Sequence, residues 1–335
     1  MWSPFRMRLI AVEEHFAAPG IKKATSSGEW ATQTRELGER GLRLGTGVID
    51  QLDDLGEGRL AAMDEAGIDV QVLSQTQPGA EVLDPAEAVP LAREANDLLA
   101  EAIAHHPTRF SGFAVLPCSA PDVAAGELER AVTKLGLKGA LINGRVGGRF
   151  LDDRLFWPIF ESAEHLDVPI YLHPGLPPKA VREASYDGLT PAVSHWLSIA
   201  AWGWHVDTGL HALRLIAAGV FDRFPKLQVI IGHMGEAIPF MLERTNITLT
   251  KEVTGLQREM KEYFNANFHV TTSGFFSYPP LLCLLLVVGA DRVMFAVDYP
   301  YSSNQEGRRF LDGAPLSTAD REKIAHANAE RLLRL

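Results

Sequence analysis

Four short apolar runs in this sequence end in residues able to hold a metal ion or move a proton. RLIAVEEH (8–15) ends in Glu13-Glu14-His15, and VPIYLHP (168–174) ends in His173-Pro174. LQVIIGH (227–233) ends in His233, followed by Met234-Gly235-Glu236, and DRVMFAVDYP (291–300) ends in Asp298-Tyr299-Pro300. If these runs are strands, Glu13 and His15 point to one side and Glu14 to the other. Converging, Glu13, His15, His173 and Asp298 offer two carboxylates and two imidazoles, a donor set for one divalent ion of the zinc, manganese or magnesium group. A lone strand-end histidine is ordinarily a satisfied core residue, and a lone glutamate there can cap nearby backbone. Two carboxylates buried together are different, because without a cation they are costly.

His233 and Glu236 stand three apart, at a strand end and the start of the following helix. Glu236 can complement that helix N-terminus. The sharper reading is a dyad in which Glu236 orients His233 for proton transfer. The remaining histidines read as ordinary: His105, His106 and His165 near helix ends, His326 on the closing helix, and His195, His205 and His211 packed or solvent-facing in a Trp-rich helix. That Trp-rich stretch, 194–205, is nonetheless able to approach the site. Asn143 ends another run, KGALIN (138–143), and no lysine stands there to bridge two metals, which argues against a binuclear centre. Phe16, Tyr299 and Tyr301 are candidates to line an aromatic pocket.

Catalytic groups need a scaffold that brings strand ends together. Four further strands complete the set: DVQVLSQ (69–75), FSGFAVLP (110–117), KGALIN (138–143) and FHVTTSG (268–274). Helical patterns follow each: 57–67 closed by Gly67, 84–107, 120–136, 152–167, about 191–224, 236–264, a buried helix over 279–289, and 317–335. Eight strands in regular alternation with helices, each strand a continuous apolar run, predict an α/β fold, a (β/α)8 TIM barrel spanning 1–335 as one domain. A doubly wound dinucleotide fold would want a Gly-rich turn after the first strand, where Glu13-Glu14-His15 stands instead. Residues 16–56 show no strand period and read as an extended first βα loop, a lid over the barrel mouth.

Composition narrows the function classes. The chain has 335 residues, with 32 Lys+Arg against 42 Asp+Glu and a net charge of −10. That balance offers no footprint for nucleic acid or an anionic membrane. An anionic small substrate stays possible, since a bound metal inverts the local field. The longest apolar run, Leu281 to Val288, is too short to span a bilayer, and the N-terminal apolar stretch is too short for a secretory signal. Met7 is an alternative start. Two isolated cysteines, Cys118 and Cys283, fit a reducing cytoplasm.

At these residues the sequence resembles the amidohydrolase-related superfamily, specifically its decarboxylase branch. That branch includes γ-resorcylate (2,6-dihydroxybenzoate), 2,3-dihydroxybenzoate, 5-carboxyvanillate and aminocarboxymuconate semialdehyde decarboxylases. The anchors are VEEHF (12–16), YLHPG (171–175), the block 209–236, TTSG (271–274), MFAVDYPY (294–301) and NAERLL (328–333). His15, which is alanine in some 2,3-dihydroxybenzoate enzymes, leans toward the γ-resorcylate type. The resemblance implies Glu13, His15, His173 and Asp298 as metal ligands and His233 with Glu236 as the conserved pair. It also implies that Arg244 reaches the substrate of a neighbouring subunit, so that the protein is a homodimer or homotetramer. Tyr301 is carried as a further substrate contact.

The implied reaction is nonoxidative decarboxylation of a hydroxybenzoate-type aromatic carboxylate, with Asp298 delivering the proton to the ring carbon and no organic cofactor. The reverse carboxylation is the same chemistry. The rival is a metal-dependent hydrolase opening a lactone or an amide, with Asp298 as general base toward a metal-activated water.

Overall fold

The computed structural model describes residues 7–32, 35 and 47–335. The strands are β1 (Ile10–Phe16), β2 (Val70–Gln75), β3 (Phe110–Gly112), β4 (Ala140–Asn143), β5 (Ile170–His173), β6 (Val229–Ile231), β7 (Phe268–Thr271) and β8 (Val293–Met294), all paired in parallel. They form two arcs, β1-β2-β3 and β4 through β8. Isolated bridges close the ring: Ala114 to Ala140 joins the arcs at one side, and Glu14 to Tyr299 joins them at the other. The predicted eight-stranded barrel is therefore present.

Two of its strands are much shorter than their apolar runs predict. β3 stops at Gly112 and β8 at Met294. Beyond those points the chain still bonds its neighbours, as in Leu141 N–H to Ala114 O at 3.1 Å and Asp298 N–H to Glu13 O at 2.9 Å, but without a regular ladder. Those irregular ends are where β8 presents Asp298.

Apolar residues sort into two layers. Ile10, Val12, Val70, Val72, Phe113, Leu141, Tyr171, Ile230 and Met294 fill the barrel interior, with Ala329 and Leu333 of the closing helix plugging its floor. A larger layer between strands and helices holds Leu9, Ala11, Phe16 and Val270 among many others. Ile10 and Val12 thus face in while Leu9 and Ala11 face out.

Several helices are more broken than their patterns suggest. The stretch 191–224 divides into Pro191–Ser198, Gly203–Ala217 and Val220–Arg223. At the first break Gly203 sits so close to the Ser198 carbonyl that a Cβ would collide with it. The stretch 236–264 divides into Ile238–Thr248, Lys251–Thr254 and Met260–Asn267. Its first helix starts late because Glu236 and Ala237 adopt left-handed backbone, with φ of 53° and 64°. The apolar helix expected to be buried over 279–289 forms as Tyr278–Val288, yet only Leu281 and Leu284 are buried and Leu286 is 88% exposed. Hydropathy measures what a residue prefers, and a half-covered helix can still leave one apolar face outside.

The described part of the 16–56 segment is helical at Pro19–Ala24, at 29–32 and at Val48–Asp53. Residues 33–34 and 36–46 of that predicted lid lie outside the described residues.

Candidate metal centre and active site

The site is built at the C-terminal ends of β1, β5, β6 and β8. β1 carries a register shift between Ala11 and Glu14. Without it, strict alternation from Ile10 and Val12 would turn Glu13 and His15 outward; a bulge re-aims a strand's side chains by one position. Both residues consequently face the site, and each is wholly buried.

Glu13 uses its two oxygens differently. Oε2 accepts hydrogen bonds from the hydroxyls of Tyr171, Ser273 and Thr271, the last at 3.2 Å. Oε1 is buried without a hydrogen bond among the described residues. It faces Nε2 of His173 at 3.3 Å, of His233 at 3.7 Å and of His15 at 4.0 Å. His15 Nε2 is likewise buried without a hydrogen bond among the described residues, although Asp298 Oδ1 lies 3.1 Å away. Asp298 Oδ2 is 3.8 Å from His233 Nε2. The sequence-predicted residues Glu13, His15, His173, His233 and Asp298 therefore converge on one point. Glu13, His173, His233 and Asp298 also satisfy the mutual spacing of a cation site among the described residues.

The rings are held from behind. His173 Nδ1 lies 2.9 Å from Asn143 Oδ1 and His15 Nδ1 lies 3.3 Å from Ser74 Oγ, which leaves each Nε2 turned to the shared point. Two orphaned buried atoms, a carboxylate oxygen and an imidazole nitrogen, sit among two carboxylates and three imidazoles. Such atoms are costly unless something pairs with them, and a divalent cation fits this donor set.

The electrostatics agree. Burial opposes ionisation of Glu13, yet the imidazoles of His233, His173 and His15 hold its carboxyl well below the usual carboxylate range. For Asp298 burial again opposes, and His15 and His233 hold it below its ordinary value. Burial pulls the His233 imidazole down, but Glu236, Glu13 and Asp298 outweigh it and raise its pKa well above the ordinary value.

Glu236 does not serve the helix N-terminus. Its Oε1 is 2.7 Å from His233 Nδ1 and its Oε2 is 2.7 Å from His205 Nδ1. Sequence reasoning left His205 among the packing histidines; the structure places it in the site. Its Nε2 donates to the Ala200 carbonyl at 2.9 Å, an acceptor made available by the helix break before Gly203. The only sequence cue was its membership of the Trp-rich stretch. Backbone at this end of β6 is unusual: His233, Met234, Glu236 and Ala237 all have positive φ, as does Asp298 opposite. Side-chain-bearing residues held there cost roughly 1–3 kcal/mol each and cluster at functional sites.

A cavity of about 250 Å³ opens onto His173, His233 and Asp298. Its walls are aromatic: Trp196, Trp204, Phe275 and Tyr301, with Trp30 and Val48 contributed by the first βα segment. Tyr301 is placed as expected, its ring 5.8 Å from His15 and its hydroxyl 2.6 Å from Thr76 Oγ1. Phe16 and Tyr299 are not: both are buried in the outer layer, since their positions alternate away from the mouth. Arg244 is exposed on Ile238–Thr248 and does not line this cavity.

A family model described as Amidohydrolase matches residues 15–335. The decarboxylase orsB of Emericella nidulans is 40% identical, over 98% of this chain and 97% of the relative. The γ-resorcylate decarboxylase of Polaromonas sp. is 38% identical, over 97% of this chain and 98% of that one. A crystal structure of a dihydroxybenzoic acid decarboxylase from Polaromonas sp., with bound manganese and the inhibitor 2-nitroresorcinol, superposes with a TM-score of 0.86. It is 36% identical and covers 98% of each chain. With matches running over nearly its whole length, the chain belongs to the amidohydrolase family.

Proposed function

We propose that this enzyme is a metal-dependent carboxy-lyase that removes CO2 nonoxidatively from a hydroxybenzoate-type acid, with Glu13, His15, His173 and Asp298 as ligands of one divalent ion. The observation that carries the reading is the aromatic-walled cavity opening onto the carboxylate–imidazole cluster, with Asp298 at their junction. Full-length relatives that are decarboxylases favour it over lactone or amide hydrolysis. Manganese in a neighbour supports a divalent ion of that group, with zinc and magnesium as the other members considered.

A divalent cation held there supplies neutralisation and orientation of the substrate carboxylate and its ortho oxygen. The chain's own groups do the rest. Trp30, Trp196, Trp204, Phe275 and Tyr301 hold the ring and exclude water. The His233 imidazole, held protonated beside Glu236 and Glu13, passes its proton to Asp298, which gives it to the ring carbon that bears the carboxylate. The bond to that carboxylate then breaks, its electron pair returns to the ring, and CO2 leaves. Asp298, now a carboxylate, regains a proton through His233, which Glu236 and His205 hold in place.

We read 1–335 as one barrel domain, with 16–56 as a cover contributing Trp30 and Val48. Arg244 shares its helix with exposed Phe240, Met241 and Ile247, and that helix packs on the one exposing Leu282 and Leu286. This supports a homodimer or homotetramer in which Arg244 serves a neighbour's site. Among the described residues no helix is long and apolar enough to cross a membrane, and we propose a cytoplasmic location.

The test is a CO2-release screen of hydroxybenzoates with protein reloaded with manganese, zinc or magnesium, run in ¹⁸O-water. CO2 release without solvent oxygen in the aromatic product supports the reading. A flat screen with lactone hydrolysis instead, incorporating one solvent oxygen, would replace it.

A further inference from the structure

A second cavity, of about 360 Å³, lies at the N-terminal end of the barrel, beneath β6 and β7 and beside the closing helix. His269 lines it. Thr271 turns inward to Glu13, so His269, two positions earlier on β7, faces the same way. It is only 4% exposed. Its Nε2 lies 3.0 Å from Arg292 Nη1. A guanidinium has donors and no acceptor, so Nε2 accepts and the neutral ring carries its proton on Nδ1. That Nδ1–H is buried and finds no partner among the described residues. Burial, with Arg292 and Arg331 beside it, pushes His269 down to about 3 and keeps the ring neutral.

The charges lining this cavity run against the chain's overall −10. Lys226, Arg292, Arg331 and Arg334 face Asp167 and Asp291. Asp167 is paired with Arg334, and Asp291 is paired at 2.8 Å with Lys323, from outside the cavity lining. Arg292 donates to Gln228 Oε1 at 3.0 Å, and Arg331 to the Asp291 carbonyl at 2.8 Å and Asn328 Oδ1 at 2.9 Å. Both guanidiniums thus make only neutral hydrogen bonds, and no ion pair forms at either among the described residues. Arg292 and Arg331, beside Asp291 but in direct contact with no carboxylate among the described residues, offer this cavity charged donors for negative oxygen.

We propose that this cavity binds a small oxyanion, a phosphate or carboxylate group, through Arg292 and Arg331. The site lies at the opposite end of the barrel from Asp298 and is independent of the decarboxylase reading. Arg331 belongs to the helix that plugs the barrel floor, while Arg292 leads into β8. A bound oxyanion therefore ties that helix to the strands.

The test is calorimetric titration of the manganese-loaded full-length protein with inorganic phosphate at constant ionic strength, with acetate in a parallel arm. Saturable binding of either anion is expected, and the tighter one identifies the preferred group. Arg292→Gln and Arg331→Gln should each raise Kd about tenfold, the scale of one lost charge-assisted hydrogen bond, with kcat unchanged. Anion captured at the metal centre instead would inhibit turnover and be indifferent to both substitutions. That result, or binding no stronger than that of chloride, overturns the proposal. Should Arg292→Gln fail to fold, Arg331→Gln, on the exposed side of the closing helix, carries the same comparison.

Discussion

Glu236 Oε2 lies 2.7 Å from Nδ1 of His205, while its other oxygen lies 2.7 Å from Nδ1 of His233. One carboxylate thus fixes two rings, and since His205 Nε2 donates to Ala200 O, the proton on its Nδ1 side is shared with Glu236. Burial disfavours a charged Glu236, but His233 and His205 hold its carboxyl below the ordinary range. His205 is therefore a positioning residue for His233. His205→Phe should lower kcat roughly 10- to 100-fold, a part of the 10²–10⁴ available to general acid–base catalysis. Bound metal should be retained, and the kcat pH profile should shift because Glu236 then answers to His233 alone. Steady-state kinetics across pH, with metal analysis, checks this; an unmoved profile and kcat would leave His205 a packing residue.

Gly232 gives room to Glu13. A Cβ at Gly232 would stand 2.7 Å from Glu13 Oε2. That carboxylate cannot swing away cheaply, being held by Tyr171, Thr271 and Ser273. Gly232→Ala should displace Oε1 from the point shared by the three imidazoles and weaken metal binding about 10- to 100-fold, the usual scale for disturbing a ligand's support. Competition against a chelator reads the affinity directly. Equal affinity in the variant would mean that Oε1 is not a ligand.

Asp298 and His233 face each other across 3.8 Å, and the two roles proposed for them are separable. Asp298→Asn removes the charge and the proton together and should abolish turnover. His233→Asn, which keeps a polar group of similar reach, should lower kcat about 10²–10⁴-fold. Single-turnover CO2 release with metal content measured on the same samples distinguishes lost chemistry from lost metal. Full turnover by Asp298→Asn would remove Asp298 from the proton path.

Most of this centre was legible because strand ends on a barrel share one mouth. Glu13, His15, His173, His233 and Asp298 could be gathered from chemistry and strand order alone. Three features could not. The inward turn of both Ile10/Val12 and Glu13/His15 depends on the register shift in β1, which no residue type announces. His205 reaches Glu236 only because the chain breaks after Ser198 and restarts at Gly203, a fit between backbones rather than a periodicity. The helix Tyr278–Val288 is apolar enough to read as core, but Leu286 faces outward, and burial depends on neighbours that a hydropathy pattern does not contain.

Glu81 supplies a pH-dependent term in stability. It sits in the turn after β2, where its Oε1 accepts from the Asn143 backbone N–H at 2.9 Å, while its Oε2 is buried without a partner among the described residues. Burial pushes its carboxyl up to about 7 from 4.5, despite the hydrogen bonds from Asn143. The sign follows from linkage. The folded state keeps this proton where the unfolded chain has lost it, so the contribution is fully present below pH 4.5 and is lost as pH rises through 7. The displacement is worth roughly 3 kcal/mol. Glu81→Gln, neutral at every pH, should flatten the stability profile between pH 4.5 and 7 and be the more stable protein at pH 8. Because Asn143 also holds His173, the same substitution should leave metal affinity within about threefold, Gln retaining the acceptor that Asn143 needs. Urea unfolding of both proteins at pH 5, 6, 7 and 8 measures the difference, and parallel profiles would show that Glu81 is ionised in the fold.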